Sequence, residues 1–237
     1  MTTPSLFVLF ISGWGVMQDD SYPYFYNDQY QFLESYINSY PSALFSNKGI
    51  NNLTEMYQHL GGASQAKEAS RTISSLLSSH NIQQFKLSGP DRYGLLTSTF
   101  NGGVSFAYPD EYWRYLPLPA GDSYKDIATL SLNDCDKVHD ELFYNTQGSV
   151  IFSSLSSAWG LSVYDETLLF KDHIKKLEDT ASKLIEKALS RGFRVLVLSD
   201  GPIHSSKLNK SQKDDVLLPS LLIAPMLEGV ASNDDID

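Results

Sequence analysis

A chain of 237 residues with 42% hydrophobic and 19% charged residues is typical of one large folded domain or two small ones. Its net charge of −10 excludes general nucleic-acid binding and gives no attraction to an anionic membrane surface. The single cysteine, Cys135, excludes an intramolecular disulfide and favours a reducing compartment. Because the chain also shows neither a basic signal-peptide start nor a membrane-length apolar run, we expect a cytoplasmic protein that binds neither nucleic acid nor membrane.

The first predicted element is a strand over residues 6–11, six consecutive apolar residues. Such a run is typical of a strand buried on both faces in the middle of a parallel sheet. It ends in Ser12-Gly13-Trp14-Gly15, where two glycines permit a sharp turn. In open α/β sheets, ligands bind at the carboxyl ends of the strands, so Ser12 is placed where the chemistry of such a fold usually lies.

Helical and strand patterns alternate along the rest of the chain. Apolar residues at helical spacing predict helices over residues 29–40, 53–60, 66–79, 133–144 and 165–191. Short apolar runs predict strands at residues 44–45, 84–87, 149–152, 194–199 and 216–223. We expect Asp134 near a helix start, and Pro219 on an edge strand or at a bulge. The alternation predicts an α/β fold, a three-layer, doubly wound and mainly parallel sheet, as one domain over residues 1–232 with an acidic tail at 233–237.

Five segments resemble motifs of a known family, in the family's order. Ser12-Gly13-Trp14-Gly15 is similar to "LDGWG", and the residues from Thr54 to Ala63 fall without gaps on "SEVGHLNIGA". The remaining three are residues 32–49 on "F-x-x-L…YPHT…SG", residues 91–119 with Phe-Asn-Gly-Gly on "TEKY…FFNGG…PSP", and residues 197–201 on "ITADHG". The chain thus resembles the cofactor-independent phosphoglycerate mutases of the alkaline-phosphatase superfamily of metalloenzymes, and Phe-Asn-Gly-Gly is the most specific match.

The resemblance implies only the phosphatase-like core of that family. The mutases carry a second domain inserted after the nucleophile segment, which holds the phosphoglycerate. Here the chain passes from Gly62-Ala63 through one predicted helix to Gln84, with no room for that insertion.

The resemblance also implies a two-metal site and a serine nucleophile, and both are altered at the matching positions. Ser12 replaces the first aspartate ligand, and its neutral hydroxyl cannot supply an anionic ligand. Thr54 stands at the nucleophile position and keeps a hydroxyl. Asp200 matches the aspartate of "DHG", whose histidine is absent, and is a candidate metal-ligand remnant.

The family segment "N-x-x-x-D-x-x-x-H" matches residues 153–162, which contain neither a carboxylate nor a histidine. His204, Asp19 and Asp20 are candidate replacement ligands, but we favour their interpretation as solvated loop residues.

We therefore favour a non-catalytic relative of the mutases that acts as a binding or scaffold protein and holds no cofactor. The alternative is a metal-dependent phosphoesterase or phosphotransferase that uses Thr54 as its nucleophile and Mn²⁺ or Zn²⁺ at a rewired site. A third hypothesis is partnership with an active paralogue through the tyrosine-rich residues 22–40, although core and surface packing is the favoured interpretation of those tyrosines.

Overall fold

A computed structural model describes residues 4–13, 16–17, 31–46, 53–62, 72–116, 124–155, 167–202 and 216–222. The helices in these ranges are α1 (Gln31–Ser39), α2 (Leu53–Leu60), α3 (Ile73–Ser79), α4 (Pro90–Gly94), α5 (Tyr124–Asn145) and α6 (Thr167–Ser190), with a π-helix at Leu95–Thr99. The strands are β1 (Leu6–Gly13), β2 (Val16–Met17), β3 (Ser42–Ser46), β4 (Gln84–Ser88), β5 (Glu111–Tyr115), β6 (Val150–Leu155), β7 (Arg194–Pro202) and β8 (Val216–Leu222).

These strands form one mainly parallel sheet with β1 near its middle. The order is β2-β8-β7-β1-β6-β4-β5, and β3 also pairs with β8. The five strands from β7 to β5 run parallel, whereas the pairs that include β8 are antiparallel. Parallel strands place all their carboxyl ends at one edge of the sheet, which is where the residues at the ends of β1, β4, β6 and β7 lie.

Alternate residues of β1 enter two separate cores, one on each face of the sheet. Phe7, Leu9 and Ile11 pack in the first core, which the buried residues of α1, α5 and α6 complete. Phe10 and its neighbours on that face pack in the second core with side chains from α2, α3 and the π-helix. The predicted doubly wound, three-layer α/β fold is thus confirmed, and its cause is the uninterrupted apolar run of β1.

Several predicted boundaries were wrong. The helix predicted over residues 66–79 begins at Ile73, because Thr72 is extended and its side chain accepts a hydrogen bond from the Ser75 N–H at 3.1 Å, forming a capping box. Of the apolar residues of this helix, Leu77 is buried, whereas Ile73 and Leu76 are exposed. Residues 66–71 of that prediction lie outside the described part of the chain.

The helix predicted over residues 133–144 begins nine residues earlier, at Tyr124, so Asp134 lies inside it and not at its start. Pro219 does not lie on an edge strand, since Ser220 and Leu221 of β8 pair with both β7 and β3, which places these two strands on opposite sides of β8. A proline is tolerated there because pairing with β7 begins only at the next residue, Ser220.

Strand β5, helix α4 and the π-helix were not predicted. The five residues of β5 are Glu-Tyr-Trp-Arg-Tyr, which lack the apolar run that revealed the other strands. The π-helix follows α4 without a break and leads directly into the Phe-Asn-Gly-Gly segment, where the Phe100 N–H donates to the Leu95 carbonyl at 2.9 Å.

The end of α2 lies against the main chain of the π-helix. A Cβ atom added at Gly61 would lie 2.1 Å from the carbonyl oxygen of Phe100. The Ile73 N–H also donates to the Gly61 carbonyl at 2.8 Å, so the start of α3 returns to the end of α2. Gly61 is therefore required by close backbone packing.

We expect Gly61→Ala to destabilise the protein by about 1–3 kcal/mol or more, because the added methyl group forces the main chain of Phe100 to move. Gly94→Ala is the matched control, since Gly94 has a helical backbone and open space around its Cβ position. The control should stabilise the protein by up to about 1 kcal/mol, because alanine favours the helix. Urea unfolding of both variants measures the difference, and equal effects would contradict the packing described for Gly61.

Candidate functional site

The edge at the carboxyl ends of β1 and β7 brings two of the predicted site positions together. Ile11 pairs with Ser199 and Gly13 with Pro202, so one residue of β1, Ser12, lies opposite two residues of β7, one of which is Asp200. This irregular register is a bulge, a feature that often adjoins functional sites. The main chains of Ser12 and Asp200 are therefore neighbours.

Thr54 lies in the first turn of α2, the helix that packs against β7, and its side chain is exposed. Several predicted site residues lie outside the part of the chain that the structure describes: His204, Asp19 and Asp20. The same holds for most of the segment predicted to match the family's ligand loop, including Trp159 and Leu161. Among the residues that are described, no group of three His, Cys, Asp or Glu side chains could hold a metal ion.

The end of β6 carries two serines that point into the protein on opposite faces of the sheet. The Ser153 hydroxyl lies 2.8 Å from Nε2 of His139 on α5, and the Ser154 hydroxyl lies 3.3 Å from the hydroxyl of Tyr57 on α2. Both serines are fully buried. Their hydroxyls connect the strand to the flanking helices, so they satisfy polar groups that burial would otherwise leave unpaired.

His139 is a buried, satisfied histidine of the core. Its Nδ1 lies 2.7 Å from the Cys135 carbonyl, and its ring contacts the rings of Phe7 and Phe143. Burial lowers the pKa of His139 to about 4, against weaker opposing effects that begin with the hydrogen bond to Cys135. The imidazole is therefore neutral at physiological pH.

Tyr57 fills the space between α2 and the ends of β1 and β6. Its side chain is fully buried, and its ring centroid lies 5.7 Å from that of Phe10 on β1. In the family segment "SEVGHLNIGA" that the residues from Thr54 to Ala63 resemble, the fourth position is a glycine, and Tyr57 occupies this position. An aromatic side chain thus stands beside the strand ends at the position that matches the glycine of the motif.

The donors described at this edge do not fit a centre of two metal ions held by carboxylates and imidazoles. The end of β1 offers Ser12 and the end of β7 offers Asp200, of which only Asp200 is a carboxylate. The end of β6 offers Ser153 and Ser154, whose hydroxyls already face His139 and Tyr57. Neutral hydroxyls are poor ligands for such ions, and one carboxylate does not hold two of them.

A second buried polar cluster lies between β4 and β5. It was not predicted. Lys86 Nζ lies 2.8 Å from Glu111 Oε1 with both side chains fully buried, and it also donates to Asn101 Oδ1. The ammonium group lies 4.6 Å from the centroid of the Phe100 ring. Burial lowers the pKa of Lys86 to about 8, and the adjacent Glu111 carboxylate opposes this shift, so the lysine is charged at neutral pH.

Glu111 is the centre of this cluster. Its carboxylate accepts hydrogen bonds from Asn101 Nδ2 at 2.9 and 3.0 Å, from Trp113 Nε1 at 2.7 Å and from the Tyr108 N–H at 2.8 Å. These contacts attach the Phe-Asn-Gly-Gly segment to the sheet, which gives the asparagine of the most specific motif a structural role. The sequence signal was a lysine inside the apolar strand pattern Phe-Lys-Leu, which needs a buried partner.

Comparisons with known proteins agree with this fold. The chain is 24% identical over 135 residues to a 2,3-bisphosphoglycerate-independent phosphoglycerate mutase of Desulforudis audaxviator (strain MP104C), covering 56% of this chain and 26% of the relative. The chain therefore spans about a quarter of that relative's length. No family model matches.

Solved structures of the same superfamily are also similar. A Leishmania mexicana phosphoglycerate mutase aligns with a TM-score of 0.55 and 13% identity, over 64% of this chain and 31% of the other. An alkaline phosphatase superfamily protein from Vibrio parahaemolyticus aligns with a TM-score of 0.62 and 13% identity, over 94% and 60% of the two chains. This chain has an alkaline-phosphatase-like core. Its parallel sheet from β7 to β5 and its flanking helices are that core, and the implied resemblance is confirmed at the level of the fold.

The burial of His139 makes stability depend on pH, because burial lowers the pKa of its imidazole. The pKa of His139 is about 4 when folded and about 6.5 when unfolded, so the unfolded chain binds more protons between these values. We expect stability to fall as the pH decreases through this window, by on the order of 3 kcal/mol in total. His139→Asn should be less stable at pH 7, and its disadvantage should shrink toward pH 4. Chemical unfolding across this pH range measures both effects, with the exposed His80→Asn as control; a constant disadvantage would contradict the assignment.

The buried cluster predicts a large effect from a nearly isosteric change. Glu111→Gln removes the charge opposite Lys86 and replaces one accepting carboxylate oxygen with an amide NH2 group that faces other donors. We expect a loss of about 3–5 kcal/mol in the free energy of unfolding. Glu141→Gln, which removes a carboxylate from the exposed pair with Arg114, should change it by less than about 1 kcal/mol. Similar urea midpoints for the two variants would be the contrary result.

Proposed function

We propose that this chain is a non-catalytic relative of the phosphoglycerate mutases that works as a binding or scaffold protein. The observation that carries the proposal is the position of Tyr57. Its buried ring packs on Phe10, and its hydroxyl lies against that of Ser154. An aromatic side chain therefore fills the region between α2, which carries Thr54, and the strand ends. A metal-dependent phosphoesterase needs that region open to two ions and a phosphoryl group.

The donor chemistry supports the same proposal. Strand ends that hold metal ligands in a hydrolase present charged groups to the solvent-filled site, whereas Ser153 and Ser154 are buried and engaged with the flanking helices. The glycine turn after β1 and the buried cores are retained, so the fold persists beside an altered site. Fold alone does not supply the activity of a relative.

A second candidate function, phosphoester hydrolysis or phosphoryl transfer, is favoured by one observation. The Thr54 side chain is exposed in the first turn of α2, so its hydroxyl is accessible to a substrate, and Asp200 lies on the strand that α2 packs against. A single-metal centre completed by Asp200 would be the simplest version of this function, with Mn²⁺ or Zn²⁺ as the ion.

The proposal extends to compartment and partner. Cys135 is a free, buried thiol, which suits a reducing compartment such as the cytoplasm. No helix in the described part of the chain has the length and apolarity needed to cross a membrane. A scaffold of this kind would act through a protein partner, for which an active paralogue is one candidate.

Metal content and phosphatase activity test the proposal directly. We expect the purified protein to carry no stoichiometric metal after incubation with Mn²⁺ or Zn²⁺, and to give no turnover of a generic phosphoester, because the donors at the ends of β1 and β6 are hydroxyls. Elemental analysis and a colorimetric phosphate assay measure these quantities. Stoichiometric metal, or a turnover that Thr54→Ala abolishes, would establish the enzyme instead.

A variant that restores one carboxylate tests whether the metal site has been assigned to the right residues. Ser12→Asp restores one carboxylate at the end of β1, but it leaves Ser153 and Ser154 engaged with His139 and Tyr57. This variant should therefore bind metal no more tightly than the native chain does. Tight binding by the single variant would show that the remaining ligands are present and that Ser12 completes them.

A further inference from the structure

The outer edge of β5 carries main-chain groups that no strand in the described part of the chain uses. β5 is the last strand in the sheet order. The Asp110 carbonyl accepts a hydrogen bond from β4, and the Leu116 N–H donates one to β4, both at 2.9 Å, so even-numbered residues here face β4. Because the pairing groups alternate along a strand, the N–H and C=O groups of Trp113 and Tyr115 point to the outer edge.

Glu111 limits what this edge can pair with. Its N–H donates to the Tyr108 carbonyl at 3.0 Å, so only its C=O remains on the outer edge. The edge therefore offers an acceptor at Glu111, then a donor and an acceptor at both Trp113 and Tyr115. An extended polypeptide satisfies such an alternating set, as strands that add to sheet edges do.

We propose that β5 pairs with β5 of a second copy of this chain, antiparallel, across a two-fold axis at Trp113. In this register the Trp113 N–H donates to the other copy's Trp113 carbonyl, and the Tyr115 N–H donates to the other copy's Glu111 carbonyl. Each bond occurs twice by symmetry, which gives four hydrogen bonds. The result is one continuous sheet through two copies, and it is a closed dimer because each described sheet presents a single β5 edge.

The side chains favour this register over its neighbours. It places Tyr112 directly opposite the other copy's Arg114, and a guanidinium over a tyrosine ring is an attractive pair. A register shifted toward Tyr115 would place Arg114 opposite Arg114, which like-charge repulsion opposes. A register shifted toward Glu111 would leave the Tyr115 N–H without a partner.

The surface beside the edge has the composition of an interface. Tyr112 is 46% exposed and Tyr115 is 57% exposed, while Arg114 forms a long ion pair with the exposed Glu141 at 3.7 Å. Tyrosine, tryptophan and arginine are the residues enriched in protein interfaces. Tyr112 also stacks on Phe85 at a centroid distance of 5.1 Å, so its ring is held in place before a partner arrives.

Analytical ultracentrifugation over a wide range of chain concentration tests the association. We expect the native chain to form dimers, and Tyr112→Lys to raise the dimer dissociation constant by roughly tenfold or more, because it places a lysine opposite the other copy's Arg114. Tyr144→Lys is the matched control, since Tyr144 is 68% exposed and its ring lies 5.2 Å from the guanidinium of Arg191, which follows α6. The control should dimerise like the native chain, and circular dichroism checks that both variants are folded.

Cysteine cross-linking tests the register, and the buried Cys135 keeps the background low. Tyr112 and the other copy's Arg114 would form a non-hydrogen-bonded pair with Cα atoms about 4.5 Å apart, which is within disulfide range. Mild oxidation of a mixture of Tyr112→Cys and Arg114→Cys chains should give a covalent dimer, whereas each variant alone should give little.

Three results would overturn the proposal. The first is a monomer at every concentration in which the Trp113 and Tyr115 amides exchange slowly with deuterium, which would mean that another segment of the same chain covers the edge. The second is a monomer in which those amides exchange rapidly, which would mean that the edge stays open or serves a different partner. The third is a dimer that Tyr112→Lys leaves intact and that the cysteine mixture does not cross-link, which would place the interface elsewhere.

Discussion

The burial of β1 on both faces is the constraint on which the rest of this structure depends. Its side chains alternate between a core under α5 and α6 and a core under α2 and the π-helix. Every neighbouring strand must then be covered on both faces as well, so any polar side chain on those strands needs an internal partner. The fold therefore determines the chemistry that its strand ends can present.

The serines of β6 follow from that constraint. Ser153 meets a neutral imidazole on one face, and Ser154 meets a tyrosine hydroxyl on the other. Neither hydroxyl is directed to solvent, so the strand end contributes to helix docking rather than to ligand binding. The Lys86–Glu111 pair meets the same requirement for a full charge, since Asn101 and Trp113 also donate hydrogen bonds to the carboxylate.

The sequence predicted the fold well where apolar runs were unambiguous, as for β1, β6 and β7, whose positions were all anticipated within a few residues. It failed at β5, since Glu-Tyr-Trp-Arg-Tyr has the composition of an edge strand and no apolar run, and at the start of α3, where the Thr72 cap overrides apolar spacing. The sequence showed the altered site positions, Ser12 and Thr54. It could not show the partners of Ser153 and Ser154, because His139 and Tyr57 approach β6 only through tertiary packing on opposite faces of the sheet.

Two edges of the sheet differ in the groups that they present: the edge at the carboxyl ends of the strands, and the lateral edge at β5. At the carboxyl end of β6, Ser153 and Ser154 have internal partners, and the ring of Tyr57 is buried beside them. At the lateral edge, β5 has main-chain groups that no strand in the described part of the chain pairs with, and exposed aromatic rings lie beside them. Stability alone does not favour exposed aromatic rings beside an open strand edge, so their presence supports the association proposed for β5.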